Sequence, residues 1–284
     1  MAGQRHRSPP HVIVINPIDI TLMTQHKIWM QGATDRNAHM PYIRELEAHV
    51  KRILDPQFDF SFNTTTPPAT TTHAVTEFRM ARNFMKNAVH AQAQGYAAVA
   101  ISHFQDAGLA EAKSLVDIPV LGLGETTMLH ACTLGRKFGL VTINPVFIPW
   151  HEDQVIRYGL TSRCVGVRAV PCTVAEFMDA FATDTGYAAL AAKFQKEVDV
   201  LLGAGADVIV PAGGLPMMMF GGRQTHRKVQ IQTDGAPIIN GITVLLKAAE
   251  AAVRMKALDD VAVSRRSNYV QPPEVALKEF MEQG

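Results

Sequence analysis

His103 lies in the loop-like stretch Ser102–Leu109 (SHFQDAGL). An imidazole titrates near neutral pH, so it can take or give a proton as a general base or acid. Ser102 on one side offers a hydroxyl, and Phe104 on the other an apolar wall. The plainer alternative is a loop histidine satisfied by a backbone carbonyl. In Ala212–Pro216 (AGGLP), Gly213 and Gly214 let backbone N–H groups approach an anionic oxygen closely, or simply make a turn. Glu125, Thr126 and Thr127 follow Gly124 at the start of a predicted helix, where free N–H groups favour anions. Thr126 or Thr127 can hold a carbonyl there, and Glu125 is either a catalytic carboxylate or a helix-start charge. Thr142, near the end of a predicted strand, is a further candidate substrate contact. Asn16 and Asn144 each stand before a proline; the Asn16 amide suits a carboxylate or imide oxygen, and Asn144 suits a simple turn equally well.

Other chemistries fit less well. Gly122–Gly124 (GLG) would need glycine at 127, which is Thr, to complete a dinucleotide fingerprint. His73, His130, His151 and His226 could join His103 and Glu125 around an ion, but no pair has HxH or HExxH spacing, so no metal is expected. His226 follows the Met217–Phe220 run, which reads as core, interface or lid, and could reach a cleft, as could His73. The three cysteines, Cys132, Cys164 and Cys172, read as small buried hydrophobes. Their odd number argues against a disulfide framework and for a reducing cytoplasm. With 27 basic and 26 acidic residues the chain carries +1, so no general attraction for nucleic acid or acidic membranes is expected. The polar stretch Met1–His11 lacks the apolar core of a leader peptide, and no apolar run reaches the roughly 20 residues of a membrane span.

The chain is 284 residues long and 47% apolar, enough for a large buried core. His11–Asn16 (HVIVIN) reads as a first, doubly buried strand. A helix follows near Tyr42–Leu54, then a Thr/Pro loop over Asn63–Thr72 and a helix over Ala74–Ala93. Strands are expected at Ala97–Ser102, Pro119–Leu123, Gly139–Ile143, Val165–Val170, Asp207–Val210 and Ala236–Ile239. Helices are expected near Glu125–Leu134, His151–Tyr158, Val174–Leu202 and Thr243–Ala257. This alternation is an α/β pattern with parallel sheets. The chain also repeats itself. Val14–Ile20 (VINPIDI) resembles Thr142–Ile148 (TINPVFI), Gly95–Ile101 (GYAAVAI) resembles Gly205–Pro211 (GADVIVP), and Ile118–Leu123 (IPVLGL) resembles Ala236–Gly241 (APIING). Three ordered pairs suggest two copies of one unit. One lobe would comprise 1–122, with 221–284 returning to it, and the other 123–220. Ligands of such units sit at the carboxyl ends of the strands. His103 and Gly213 would then face each other across the cleft.

The segments INP at Ile15–Pro17, HFQDAGL at His103–Leu109, Ile118–Thr142, RYGLTSRCVGVRAV at Arg157–Val170 and GADVIVPAGG at Gly205–Gly214 resemble the aspartate/glutamate/hydantoin racemase superfamily, and within it the hydantoin racemase branch. The resemblance runs from about Val12 to Val253 and is weaker over Thr21–Val75, where this chain is longer than usual. It implies two flavodoxin-like lobes in pseudo-twofold relation, no cofactor, homo-oligomers, and two cysteines, one per lobe, acting on opposite faces of a carbon beside a carbonyl. It also implies that Asn16 contacts substrate. His103 stands where the first cysteine is expected, and the second position falls on Gly213 or a neighbour. Two-thiol racemisation therefore does not carry over. The expected function is cofactor-independent chemistry beside a carbonyl of a small carboxylate or hydantoin-like cyclic amide, with His103 acting from one side. A lyase, decarboxylase or hydrolase with His103-activated water, and a non-catalytic small-ligand protein, stand as alternatives. A new catalytic group from the 21–73 region is a weaker one.

Overall fold

The computed structural model describes residues 25–222 and 227–282. Asn16 and His226, with the strand expected at His11–Asn16, lie outside them. The first described strand is β1 (His26–Gln31), followed by α1 (Met40–Ile53), β2 (Phe58–Asn63), α2 (Ala74–Ala93), β3 (Ala98–Ile101), α3 (Leu109–Leu115) and β4 (Val120–Gly122). The second half runs α4 (Leu123–Leu134), β5 (Phe138–Thr142), α5 (Phe147–Arg157), β6 (Cys164–Ala169), α6 (Val174–Ala182), α7 (Asp184–Gly203), β7 (Val208–Pro211) and α8 (Gly214–Phe220). Helices α9 (Gly241–Asp259) and α10 (Glu274–Glu282) close the chain.

All strand pairs are parallel. One sheet has the order β2-β1-β3-β4 and the other β6-β5-β7, extended by a single parallel bridge from Ile209 to Ile238. The two orders are the same pattern, two-one-three-four, executed twice, which makes a two-lobed α/β fold. The expected strand at Ala236–Ile239 survives only as that bridge. Within the repeat, β5 corresponds to β1, not to the VINPIDI stretch, because β1 holds the central place between β2 and β3.

Local sequence explains most elements. β3 (AVAI) is wholly buried, as a strand covered on both faces must be. Tyr42, Ile43, Leu46 and Val50 give α1 its buried stripe. His73 caps α2 by accepting from Val75 N, and Asn240 caps α9 by accepting from Ile242 N and Thr243 N. The single helix expected over Val174–Leu202 is two. Thr183 ends α6 and caps α7, its hydroxyl accepting from Gly186 N at 2.9 Å. Helix α9 packs against β3, β4 and α4. No helix among the described residues is long and apolar enough to cross a membrane.

Candidate active site

The C-terminal ends of the central strands converge on one small cavity of about 130 Å³. Gly32 reaches it from the end of β1, Ser102–Gln105 from β3, Ile143 from β5 and Ala212–Gly214 from β7. His103 and Gly213, the pair drawn from the repeat, both line it, as do Ser102, Phe104 and Gly214. A cavity of roughly 150 Å³ holds one benzene-sized ring, so this one suits a single small ring or a short carboxylate.

The His103 loop is held from three sides. Ser102 donates from its backbone N (2.7 Å) and its hydroxyl (2.9 Å) to the Gln31 carbonyl at the end of β1. That commits the Ser102 proton and leaves the oxygen able only to accept. Asp106, buried and in the left-handed region (φ 54°), accepts from Gly124 N (3.0 Å), Glu125 N (2.6 Å) and the Tyr158 hydroxyl (2.7 Å). It thereby ties the loop to the start of α4. Burial pushes the Asp106 carboxyl up to about 7 while these donors pull it back. Gln154 donates to the Phe104 carbonyl at 2.7 Å, and its own oxygen meets Nδ1 of buried His151 at 2.8 Å.

His103 itself is bonded through Nε2 to Glu77 Oε2 at 2.9 Å, with the two side chains 15% and 19% exposed. The Phe84 ring meets the imidazole edge-on at 5.8 Å. A carboxylate only accepts, so Nε2 carries a proton and Nδ1, without a partner among the described residues, is left with its lone pair in the neutral ring. Glu77 comes from the first turn of α2. Sequence reasoning missed it, since the only signal was an acidic residue just after the Thr/Pro loop.

Tyr42 of α1 was also missed. It lines the cavity against Gly214, where a Cβ would come within 2.5 Å of the Tyr42 oxygen. Glycine at 214 is therefore a packing requirement. Gly213 has φ 144°, a conformation side chains rarely adopt.

The remaining expected site residues are elsewhere. Glu125 is paired with Lys113 at 2.6 Å and lines a second, larger cavity of about 840 Å³, with Glu77 and Gln105 on its near wall. Thr126 donates to the Gly122 carbonyl, Thr127 is fully buried, and Thr142 lies buried with its hydroxyl 3.5 Å from the Ala212 carbonyl. None of the four lines the small cavity. Nor does any cysteine. Burial raises the Cys164 thiol, and burial with the Glu176 charge pushes Cys172 up to about 11, so neither is a thiolate at neutral pH. Among the described residues no three His, Cys, Asp or Glu side chains converge in a way that could hold an ion.

The family sequence model for Asp/Glu/Hydantoin racemase matches residues 34–249. The chain belongs to that family. A hydantoin racemase from Rhizobium meliloti is 28% identical over 211 residues, spanning 74% of this chain and 80% of that one. The fold matches an allantoin racemase from Klebsiella pneumoniae with a TM-score of 0.71 at 20% identity, over 88% of this chain and 94% of that one. An allantoin racemase from Pseudomonas fluorescens gives 0.72 at 21% identity, over 87% and 98%. The family match starts at Thr34, just past the end of β1, so the part of the resemblance read upstream of it, INP at Ile15–Pro17 included, lies outside the match. The stretch 21–73, read as an enlargement, contains the first β-α-β unit of the fold.

Proposed function

We propose that this member of the racemase family moves a proton at the carbon beside a carbonyl of a small, hydantoin-like cyclic amide, without a cofactor, with His103 as the base on one face. The observation that carries the reading is the Glu77–His103 pair, in which His103 lines the strand-end cavity and keeps a partner-free Nδ1 while its Nε2 is held by the carboxylate. The likeness to the Rhizobium hydantoin racemase supports the substrate class, and the one-ring size of the cavity agrees with it.

In the step, the C–H bond breaks, its proton passes to His103 Nδ1, and the electron pair moves into the carbonyl to give an enolate. Glu77 holds the ring in the productive tautomer and stabilises the imidazolium as it forms, as carboxylate–histidine pairs do. The backbone of Gly213 and Gly214 lines the same cavity, with the Tyr42 hydroxyl occupying the space beside Gly214. Positions 103 and 213 take the places of the two thiols expected of the family. The lobe boundaries at 122/123 and 220/221 belong to the same reading. The first is supported by the start of α4 at Leu123; the second is not, because Ile238 bridges to Ile209 of the second sheet, and the return to the first lobe comes after it, with α9 packing on β3 and β4.

The test is to incubate one enantiomer of a 5-substituted hydantoin with the protein in D2O and follow the C5 proton by NMR. Deuterium at C5, reduced about 10²- to 10⁴-fold in His103→Gln, is the expected result. Exchange at the wild-type rate in that variant would show that another group is the base.

A further inference from the structure

A single base reaches one face of the reacting carbon, and inversion needs a proton delivered to the other. We infer that Tyr42 supplies it: its hydroxyl, on the Gly213–Gly214 wall of the cavity, protonates the face opposite His103. The inference rests on the reading of His103 as the base.

Three observations point the same way. First, Tyr42 is only 4% exposed, lines the cavity, and its oxygen has no hydrogen-bond partner among the described residues. The oxygen is not among the fully buried unpartnered atoms, so it stays accessible, and the cavity that Tyr42 lines is where a ligand can meet it. Second, the oxygen lies against Gly214, so the phenol fills the space that a side chain on that glycine would take. The lobe position that lacks a proton-bearing side chain of its own is thus served by one reaching over from α1. Third, the ring is fixed. It packs at 5.9 Å from the Phe181 ring, and α1 rests on α6 and α8, so the hydroxyl is held against the second lobe although its helix belongs to the first. Burial also holds the phenol above its ordinary range, so it enters the step protonated, as a donor must.

The step balances. His103 Nδ1 takes the proton from the carbon and becomes imidazolium. The enolate pair then forms a new C–H bond on the far face with the Tyr42 proton, leaving tyrosinate. Water returns a proton to the tyrosinate and accepts one from the imidazolium before the next turnover.

Tyr42→Phe removes the oxygen and keeps the ring against Phe181. With one enantiomer of a 5-substituted hydantoin in D2O, the wild-type protein should lose optical rotation and incorporate deuterium together. Tyr42→Phe should lose rotation at least about 100-fold more slowly, yet still place deuterium at C5 of the unchanged enantiomer through His103. A melting curve within a few degrees of wild type confirms that the variant is folded. Racemisation at the wild-type rate in Tyr42→Phe overturns the assignment and leaves the His103 reading standing. Parallel loss of exchange and racemisation also overturns it, because Tyr42 would then hold the enolate oxygen instead. Absence of both from the wild-type protein overturns the proposed reaction, and this inference with it.

Discussion

Glu77 touches the cavity only through His103, so replacing it isolates what the carboxylate does to the base. The 2.9 Å contact joins two side chains that are each more than four-fifths buried. A hydrogen bond to a charged group in such surroundings contributes about 1.5–3 kcal/mol, against about 0.5–1.5 for a neutral one. If that difference is realised as imidazolium forms, Glu77→Gln, which keeps an acceptor oxygen and loses the charge, should slow kcat by about 1–1.5 kcal/mol, roughly 5- to 12-fold. Glu77→Ala loses the acceptor as well and frees the ring to take the wrong tautomer. Its loss should be about 12- to 150-fold, for 1.5–3 kcal/mol. In both variants KM should move less than kcat, because Glu77 stands behind the imidazole and not against the substrate. The assay is initial-rate C5 deuterium exchange across a range of substrate concentrations. Both variants within twofold of wild type, or a loss confined to KM, would refute the view that Glu77 orients and charges the base.

Two further outcomes follow from the surroundings of the site. The variant with Cys132, Cys164 and Cys172 all changed to Ala should keep its exchange activity within about twofold, since none of the three lines the cavity and two thiols are held protonated; alkylation that silences the unmodified protein but spares this variant would show otherwise. His151 is fully buried, and burial lowers its pKa to about 4 from an ordinary 6.5. The folded state thus binds this proton more weakly than the unfolded chain. The associated stability is present above pH 6.5 and drains away as pH falls toward 4, with about 2 kcal/mol gone by pH 5. Urea unfolding of His151→Asn should show a pH 7-to-5 difference smaller by about that amount, and an unchanged difference would mean that His151 titrates normally. His49, similarly lowered by burial and by Arg52, accounts for part of what remains.

The architecture was readable because it rests on runs that only a buried parallel strand explains. Ala98–Ile101 and Val208–Pro211 stand out as unbroken apolar segments, each after a glycine and each followed by a loop. The first unit was harder. Phe58, Phe60 and Phe62 alternate with polar residues over β2, a period-two signal masked by the Thr/Pro loop that follows it. β1 (HKIWMQ) is short and begins with two polar residues, while the stronger run HVIVIN lies upstream and drew the reading to itself. The cavity residues His103, Gly213 and Gly214 were accessible through the repeat, since equivalent loops in two copies of one unit face each other. Glu77 and Tyr42 were not. Each is a helix residue whose role depends on where its helix lies against the other lobe, and spacing along one chain carries no record of that. Glu125 sits at a helix start, as its sequence position suggests, but it pairs with Lys113 from α3 and lines the larger cavity instead of the one beside His103, a placement that spacing along the chain does not record.

The duplication also explains why the two halves of the site need not be chemically alike. Two copies of a β-α-β unit supply two equivalent strand ends, and each can be furnished from the helix that precedes it. In the first copy, α2 places Glu77 behind His103. In the second, the comparable first-turn carboxylate, Glu176 of α6, is engaged by Lys193 at 2.6 Å and by the Thr173 backbone at 2.7 Å, closing a capping box, and it does not line the cavity. The second strand end therefore offers backbone alone, and the side chain beside it, Tyr42, is lent by the first copy. On the proposed roles of His103 and Tyr42, both proton-bearing groups come from the first copy of the β-α-β unit, while Gly213 and Gly214 come from the end of β7. Their alignment depends on how the lobes meet, and the contacts that set this are specific: Tyr42 on Phe181, and Arg227, which stacks on Tyr187 of α7 at 4.8 Å while reaching Glu45 of α1 at 3.3 Å. A change that loosens this seam should lower inversion more than exchange, because exchange needs only the His103 side of the cleft.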